Sequence, residues 1–571
     1  MFKIPQADKK FIVDNESMTR GNIYSTFNIM FDADKGRIKL NPLLLNGGDT
    51  AGFVDFIKPQ AIVIASKDSG TATDAYILTV KSAGVGFVWS TYAGLAKLAG
   101  ANVPSVLVEG SCDMCLSWGL LHVSDNDGLH YVAPSSSAGA WTLNADTDFK
   151  NKSVIFHFNN TNRLYLVSGT SIVSCDSAYT KAVSGSYTQT SIPNTVTCAR
   201  AASKRIWYAT SDYYGQCNIY EWDGVDTNPT GIYLIDALYI QSITILNDIP
   251  VAIDDRGRLW FYDGYKFVLR DGAVYPNRED DTSTTCQVHR NGMITVNDKI
   301  YVLIGSETVG GKPKNSSERS LAGIWCYDSA IGFYHFSSPD NNASIFATYA
   351  LSRGIYDKTF IATYVQTKPA LNYVLSKTDI SLNNYVRTGF ITTQFLESKN
   401  LTDLFNAIGL KYRKMIASAA QIEVKYRTWK NIECNTLITF TNATTFTVVT
   451  NVLNSLAGNP YCTSPAIGDE VFVQNGPNAG LIAHITNRVD AGGTSTITID
   501  RSATTTTGDN YAVFSNYTLL KTITNDGATF KNIRLAIPTT MIQVKLVLSW
   551  IGYYDEVQEI MIPEKQNETT S

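Results

Sequence analysis

Long apolar runs are missing from this sequence. No stretch approaches the roughly 20 apolar residues that a membrane-spanning helix requires, and the opening MFKIPQADKKF has no apolar signal core. The expectation is a chain made in a cytoplasm, without a membrane span. Charge is also scarce. Only 17% of the 571 residues are charged, and 47 Lys and Arg against 51 Asp and Glu give a formal net charge of −4. No basic stripe is present, which excludes tight, sequence-independent grip on phosphate. The nine cysteines are scattered and odd in number, so reduced, buried thiols are expected rather than a disulfide framework. Runs of Ala, Glu, Lys and Leu with helical period are absent. The nearest candidate, LTDLFNAIGLKYRKM at 401–415, can also be read as an alternating strand. There is no phosphate-binding G-x-x-x-x-G-K-[ST], no dinucleotide fingerprint and no H-E-x-x-H.

What the chain has in quantity is aromatic and hydroxyl side chains, with 31 Tyr and 24 Phe. These fit a pleated, half-buried surface and favour strands. Between about 120 and 385 one phrase recurs: an apolar-aromatic strand, a Gly/Asp turn, a second strand. GLHYVAP, NRLYLVSGTSIV, KRIWYATSDYYGQCNIYEWDG, GRLWFYDGYKFVLRDG and DKIYVLIGSE are copies. Their aromatic markers Tyr131, Tyr165, Trp207, Trp260 and Tyr301 are spaced by 34, 42, 53 and 41 residues. A period near the length of one four-stranded blade predicts a β-propeller. Counted from Pro59, where PQAIVIASKDSG opens, seven candidate blades fill 59–385. Their edges are poorly marked near 90–120 and 265–285.

The fold class expected is all-β: a roughly seven-bladed propeller inserted in a β-sandwich, with a small barrel inserted in that sandwich in turn. Residues 1–14 read as a polar arm. Residues 15–58 carry a hairpin signal around Asp32–Gly36 and form the first part of the sandwich, or platform. Residues 386–433 and 514–563 supply its second and third parts, and 564–571 form a tail. In QIEVKYRT, Ile422, Val424 and Tyr426 face one way while Glu423, Lys425 and Arg427 face the other. Ile542, Val544, Leu546 and Leu548 alternate with Gln543, Lys545 and Val547. The two strands are expected to pair, with Val424, Tyr426, Val544 and Leu546 in one core. The insertion at 434–513 has a strand, a Gly-rich turn at Gly476–Gly480 and a second strand, as in small SH3-like barrels. Gly480 is expected to supply a backbone angle closed to other residues. Such barrels can bind nucleic acid, but fold alone does not assign that role.

Chemistry-bearing groups are present without the company they need. Cys112-Asp-Met-Cys115 lacks the second pair of a zinc ribbon, and its flanks read as strands rather than as a strand-to-helix redox site. Ser66-Lys-Asp-Ser-Gly70-Thr resembles the start of an Asp-box turn but lacks the aromatic that follows one. Glu109, Glu221 and Asp223 could serve a glycosidase only if they converged. Asp125-Asn-Asp127-Gly128 could hold calcium or simply make a polar turn. The six histidines, His122, His130, His157, His289, His335 and His484, show no metal spacing. Tyr213, Tyr214, Tyr220 and Trp222, with Tyr262 and Tyr265 next, are the densest aromatic groups. Most are expected in blade cores, with a minority on a contact surface. No catalytic, cofactor-binding or metal-ligating residue is assigned, and an enzyme is not expected.

The layout resembles the nozzle or accessory-ring proteins of short-tailed bacteriophages. The resemblance rests on STFNIMFDADKGRIKLNPLL ahead of the propeller, on the closing phrases IGLKYRKMIASAAQIEVKYRTW and IRLAIPTTMIQVKLVLSW, and on the inserted barrel. It implies a structural virion protein of the tail, synthesised in the host bacterial cytoplasm. Its copies would form a ring, usually a hexamer, that lines or extends the DNA ejection channel. Partners would be the adaptor, fibres and other tail proteins, with DNA in transient passage and no cofactor. A receptor- or glycan-binding propeller at a tail tip is the alternative reading, and a propeller glycosidase the third.

Overall fold

The computed structural model describes residues 23–32, 37–40, 44–46, 59–66, 73–82, 85–90, 96–134, 140–182, 192, 194–211, 217–272, 288–305, 308–309, 312–313, 323–329, 332–337, 345–353, 360–366, 373–378, 388–393, 395–397, 404–413, 415, 419–429, 434–449, 464–475, 478, 480–507, 510–525, 528–549, 557–561 and 564–565. The regular secondary structure of these residues is almost entirely strand, paired antiparallel throughout, with one short 3₁₀ turn at Thr147–Phe149. Among them no helix is long and apolar enough to cross a membrane. The stretch 404–412, ambiguous in sequence, is the strand Leu404–Tyr412.

Six four-stranded sheets and one three-stranded sheet follow one another from Pro59 to Thr378. In each, the first strand in sequence lies against the first strand of the next sheet. These strands are Pro59–Ser66, Asp113–Ser117, Val154–Phe158, Thr195–Ala201, Ile240–Leu246, Met293–Val296 and Ile345–Arg353, and the last packs back against Pro59–Ser66. Small sheets stacked around a closed ring are the arrangement of a β-propeller. The outer strand of the last sheet is Leu44–Asn46, from ahead of the whole ring, paired to Tyr373–Thr378. The aromatic markers do not share one register. Tyr165, Trp207 and Tyr301 sit on second strands, whereas Tyr131 and Trp260 sit on third strands. This accounts for the short step to Tyr165 and the long step to Trp260.

Two six-stranded sheets stand beside the ring. One has the order Ile23–Phe27, Thr388–Thr393, Met541–Ser549, Gln421–Arg427, Thr518–Thr524, with Leu396–Glu397 paired to the central strand. The other runs Ile29–Asp32, Arg37–Leu40, Val557–Met561, Leu404–Tyr412, Phe530–Thr539, with Glu564–Lys565 off its path. In the first, Val424 lies opposite Leu546 and Tyr426 opposite Val544, as the alternation predicts. Val424, Val544, Leu546 and Leu548 share one apolar cluster with Ile408, Leu410 and Tyr412 of the second sheet. Side chains of that size each contribute roughly 1.5–3 kcal/mol on full burial. The cluster continues into Leu303, Ile324, Tyr334 and Phe336 of the sixth small sheet. The backbone N–H of Asn28 also donates to His335 Nδ1 of that sheet, at 3.1 Å. The ring and the two six-stranded sheets therefore share a core.

Residues 434–515 close a six-stranded barrel in the order Cys434–Asn442, Thr445–Val449, Thr494–Ile499, Ile482–Ala491, Glu470–Asn475, Asn510–Ser515. Gly480 has φ +88°, a left-handed value that glycine adopts without penalty. In the same turn Asn478 is buried. Its Oδ1 accepts from the Thr504 and Thr505 backbone N–H groups at 2.9 and 3.1 Å, and its Nδ2 donates to the Thr505 carbonyl at 2.9 Å.

Candidate functional site: a buried ionic joint between sheet and barrel

The second face of the alternating strands is not left to water. Glu423, Lys425, Arg427, Gln543 and Lys545 are all buried, and both lysines are fully so. Antiparallel register sets Lys425 directly opposite Lys545. Like charges placed so repel, and burial makes each costlier. The compensation comes from the barrel. Glu470, at the first position of Glu470–Asn475 and fully buried, binds Lys545 through Oε1 at 2.5 Å and Lys425 through Oε2. Glu423 adds a second carboxylate 3.3 Å from Lys425 and also pairs with Arg501 of the barrel. Burial pushes the Glu470 carboxyl upward, but the two ammonium groups outweigh it and hold it below its ordinary range. Burial lowers Lys425, with Glu470 opposing.

Aromatic rings wall this cluster. Lys545 Nζ lies 4.0 Å from the Phe390 ring centre and 5.0 Å from that of Tyr517. The Arg427 guanidinium sits 4.3 Å from the Tyr517 ring centre, and its Nε donates to Gln543 Oε1 at 2.7 Å. Gln543 Nε2 in turn donates to the Thr393 carbonyl at 2.7 Å. Around it, Phe390 and Val547 of the sheet, Phe472 and Ile482 of the barrel and Ile300 and Trp325 of the ring form one apolar cluster. The joint thus bonds three parts of the molecule in one geometry. Its two lysines are committed to Glu470 and Glu423 and Arg427 to Gln543 and the Tyr517 ring, so it is suited to fixing an orientation. Sequence alternation located these residues but not their burial. The one available signal was two lysines at matching positions of paired strands.

The axis of the ring holds a second polar network. Residues 288–292, leading into the sixth small sheet, reach across to other sheets. Arg290 donates to the carbonyls of Gly110 and Cys112 at 3.1 and 2.9 Å. Asn291 Nδ2 donates to the Gln60 carbonyl at 3.0 Å and to Asp113 Oδ1 at 2.9 Å. Arg200 donates to Asn291 Oδ1 at 2.9 Å, and Ser242 to the Arg290 carbonyl at 2.8 Å. Asp113 is fully buried. Its Oδ2 accepts from the Ile155 N–H at 2.9 Å, and burial raises its carboxyl above the ordinary range, with Arg290 opposing. This carboxylate binds strands together. A cavity of about 550 Å³ remains beside the segment.

The other sequence candidates fall apart in space. Cys112, just ahead of the strand Asp113–Ser117, joins one apolar cluster, and Cys115 on that strand packs against another. Burial pushes both thiols up to about 12. Asp125 Oδ1 accepts from the N–H groups of Asp127 and Gly128 at 2.8 and 3.2 Å, and His130 Nε2 lies 2.9 Å from the same oxygen. The turn is thus held by N–H donors. Glu221 accepts from Arg205 at 2.9 Å and from the Tyr233 hydroxyl at 2.8 Å. Asp223 caps its own turn through the Val225 and Asp226 N–H groups. Glu109 is exposed. Tyr220 and Trp222 are buried in the ring, while Tyr265 is 88% exposed. His122 stacks on Tyr131 and bonds the Tyr179 hydroxyl at 3.0 Å; burial lowers it to about 4. Tyr213, Tyr214 and most of the Asp-box-like turn lie outside the described residues. Among the described residues no group of three or more His, Cys, Asp or Glu side chains converges as a metal site.

No family model matches the sequence, and no curated protein does. Solved structures similar to part of the chain include the WD40 β-propeller domain of Doa1, at 10% identity and TM-score 0.38, covering 60% of this chain and 97% of that one. U3-55K matches at 14% and 0.41, covering 59% and 98%. BBS1N, solved in complex with ARL6DN, matches at 9% and 0.39, covering 60% and 99%. With identities this low and scores below 0.5, the propeller description stands on the strand pairing of this chain itself.

Proposed function

We propose that this chain is a structural ring subunit of a phage tail, of the nozzle type. In this reading it is a seven-bladed propeller carried on a sandwich platform, with an SH3-like barrel inserted in the platform. Residues 15–58, 386–433 and 514–563 supply the platform, except that Leu44–Asn46 completes the last propeller sheet; 59–385 supply the propeller and 434–513 the barrel. The observation that carries the reading is the composite sandwich. Strands from 23–40, 388–427 and 518–565 interleave in two sheets, and the ring and the barrel are both loops of that sandwich. A rigid disc and a rigid barrel held on one sheet pair suit a part that repeats its contacts around an axis. Ring closure requires heterologous faces repeated by rotation.

Six copies would line or extend the channel for DNA ejection, dock the adaptor and fibres, and work through contacts rather than catalysis. The weak net charge of −4 suits a wall past which DNA slides. The test is imaging of virions, or of the subunit reconstituted on purified tails, with copies counted. A closed ring around the tail axis is expected. A single copy at a fibre tip overturns the reading in favour of receptor binding. That second reading is favoured by one observation, an aromatic-walled pocket between the fourth and fifth small sheets.

A further inference from the structure

The fourth and fifth small sheets meet at a pocket of about 530 Å³, a volume typical of small-molecule sites. Its floor is apolar, formed by Ile249, Pro250 and the half-buried Tyr262. Its wall is held in place by a chain of hydrogen bonds. Arg205 donates to Glu221 at 2.9 Å, and Tyr233 donates to the other oxygen of Glu221 at 2.8 Å. The Tyr233 and Tyr262 hydroxyls lie 2.9 Å apart, and Tyr262 bonds the Gly264 carbonyl at 2.8 Å. Trp207 packs 4.9 Å from Tyr262, centre to centre, behind that wall. The rings cannot swing away, so the pocket is formed before anything enters it.

The rim carries charges of both signs. Arg205 is committed to Glu221. Lys204 has only a longer-range attraction to Asp248, and Arg270, exposed on the outer strand Phe267–Gly272, makes no hydrogen bond or ion pair among the described residues. Two carboxylates stand nearby. Asp248 is fixed by the Ser203 N–H and hydroxyl at 2.7 and 2.5 Å. Asp263 is fixed by the N–H groups of Tyr265 and Lys266, both at 2.9 Å to Oδ1.

We propose that this pocket binds an acidic saccharide, with its carboxylate at Lys204 and Arg270, its apolar ring face on Tyr262 and its hydroxyls donating to Asp248 and Asp263. Each rim group then has a complementary partner. An acidic peptide would satisfy the two cations but meet repulsion from both carboxylates. A neutral sugar would leave the two cations unpaired. The assignment stands independently of ring assembly, since every residue in it belongs to one chain.

The experiment is saturation-transfer NMR on the full chain with three probes: methyl β-glucuronide, methyl β-glucoside and polyglutamate. Glucuronide is expected to bind with millimolar affinity, and glucoside about tenfold more weakly. Arg270→Ala and Lys204→Ala each weaken glucuronide about fivefold. Both residues are exposed, so the variants keep the fold. Tyr262→Phe keeps the ring and retains most binding, whereas Tyr262→Ala loses it. The proposal is overturned by no transfer from glucuronide, by equal transfer from both sugars, by wild-type binding in Arg270→Ala and Lys204→Ala, or by polyglutamate displacing glucuronide.

Discussion

Replacing Glu470 with Gln removes the carboxylate that bridges two fully buried ammonium groups facing each other across paired strands, and leaves Lys425 paired only with Glu423, at 3.3 Å, among the described residues. A unit pair about 3 Å apart, at an effective dielectric of about 20, attracts by roughly 5 kcal/mol before desolvation is counted. Breaking a buried pair by deleting one partner costs about 3–5 kcal/mol. An upper limit comes from the lysines. Either can relieve the repulsion by releasing its proton, which at pH 7 costs at most about 4.6 kcal/mol for an ordinary pKa near 10.4. The expected loss is therefore about 3–5 kcal/mol, concentrated where sheet and barrel meet. A chain with several cores does not unfold in one step, so a local readout is needed. Peptide-resolved hydrogen exchange should show protection in Glu470–Asn475 and Met541–Ser549 falling by about two to four orders of magnitude in Glu470→Gln. The joint apolar replacement Lys425→Met, Glu470→Leu, Lys545→Met should restore most of it, because the facing ammonium groups and their bridging carboxylate go together while Glu423 keeps Arg501. The pH dependence follows from the sign of the shift. The folded-state carboxyl is held below its ordinary value of 4.5, so its contribution is complete above that value and is lost as pH falls through the depressed one. The gap between wild type and Glu470→Gln should be flat near neutrality and close on strong acidification. Unchanged exchange in Glu470→Gln, or a gap that widens in acid, refutes this account of the joint.

Val544 is fully buried opposite Tyr426, so Val544→Asp should cost several kcal/mol, on the order of 4; a wild-type melting profile counts against its placement. Arg290→Ala deletes two charge-assisted hydrogen bonds across the ring axis, and loss of about 2–4 kcal/mol is expected in the exchange of residues 110–117. Burial pushes the thiols of Cys112, Cys175, Cys198, Cys217 and Cys326 up to about 12, so iodoacetamide at pH about 8 should label them in native protein far more slowly than in denaturant. His122 is held neutral by burial and should titrate at about 4 in an imidazole NMR titration; a midpoint near 6.5 contradicts its burial.

Local pattern was decided by the sequence. Strand alternation placed Val424, Tyr426, Val544 and Leu546 in one core, because a period of two fixes which side chains share a face. Gly480 had to take a left-handed angle, and its φ of +88° follows from that. The recurring aromatic phrase foretold small sheets in series, though not that its markers would fall on second strands in some sheets and third strands in others. Only the tertiary structure decided what covers each face. Alternation gives Glu423, Lys425 and Lys545 a common side but is silent on whether water or a barrel lies beyond it. The answer depends on Glu470, which is distant in sequence and adjacent in space. The same holds for the pairing of Leu44–Asn46 with Tyr373–Thr378 and for the reach of Arg290 and Asn291 across the ring. These contacts join residues far apart in the chain, where neither periodicity nor propensity carries a signal and only the closed geometry of the sheets selects the partner.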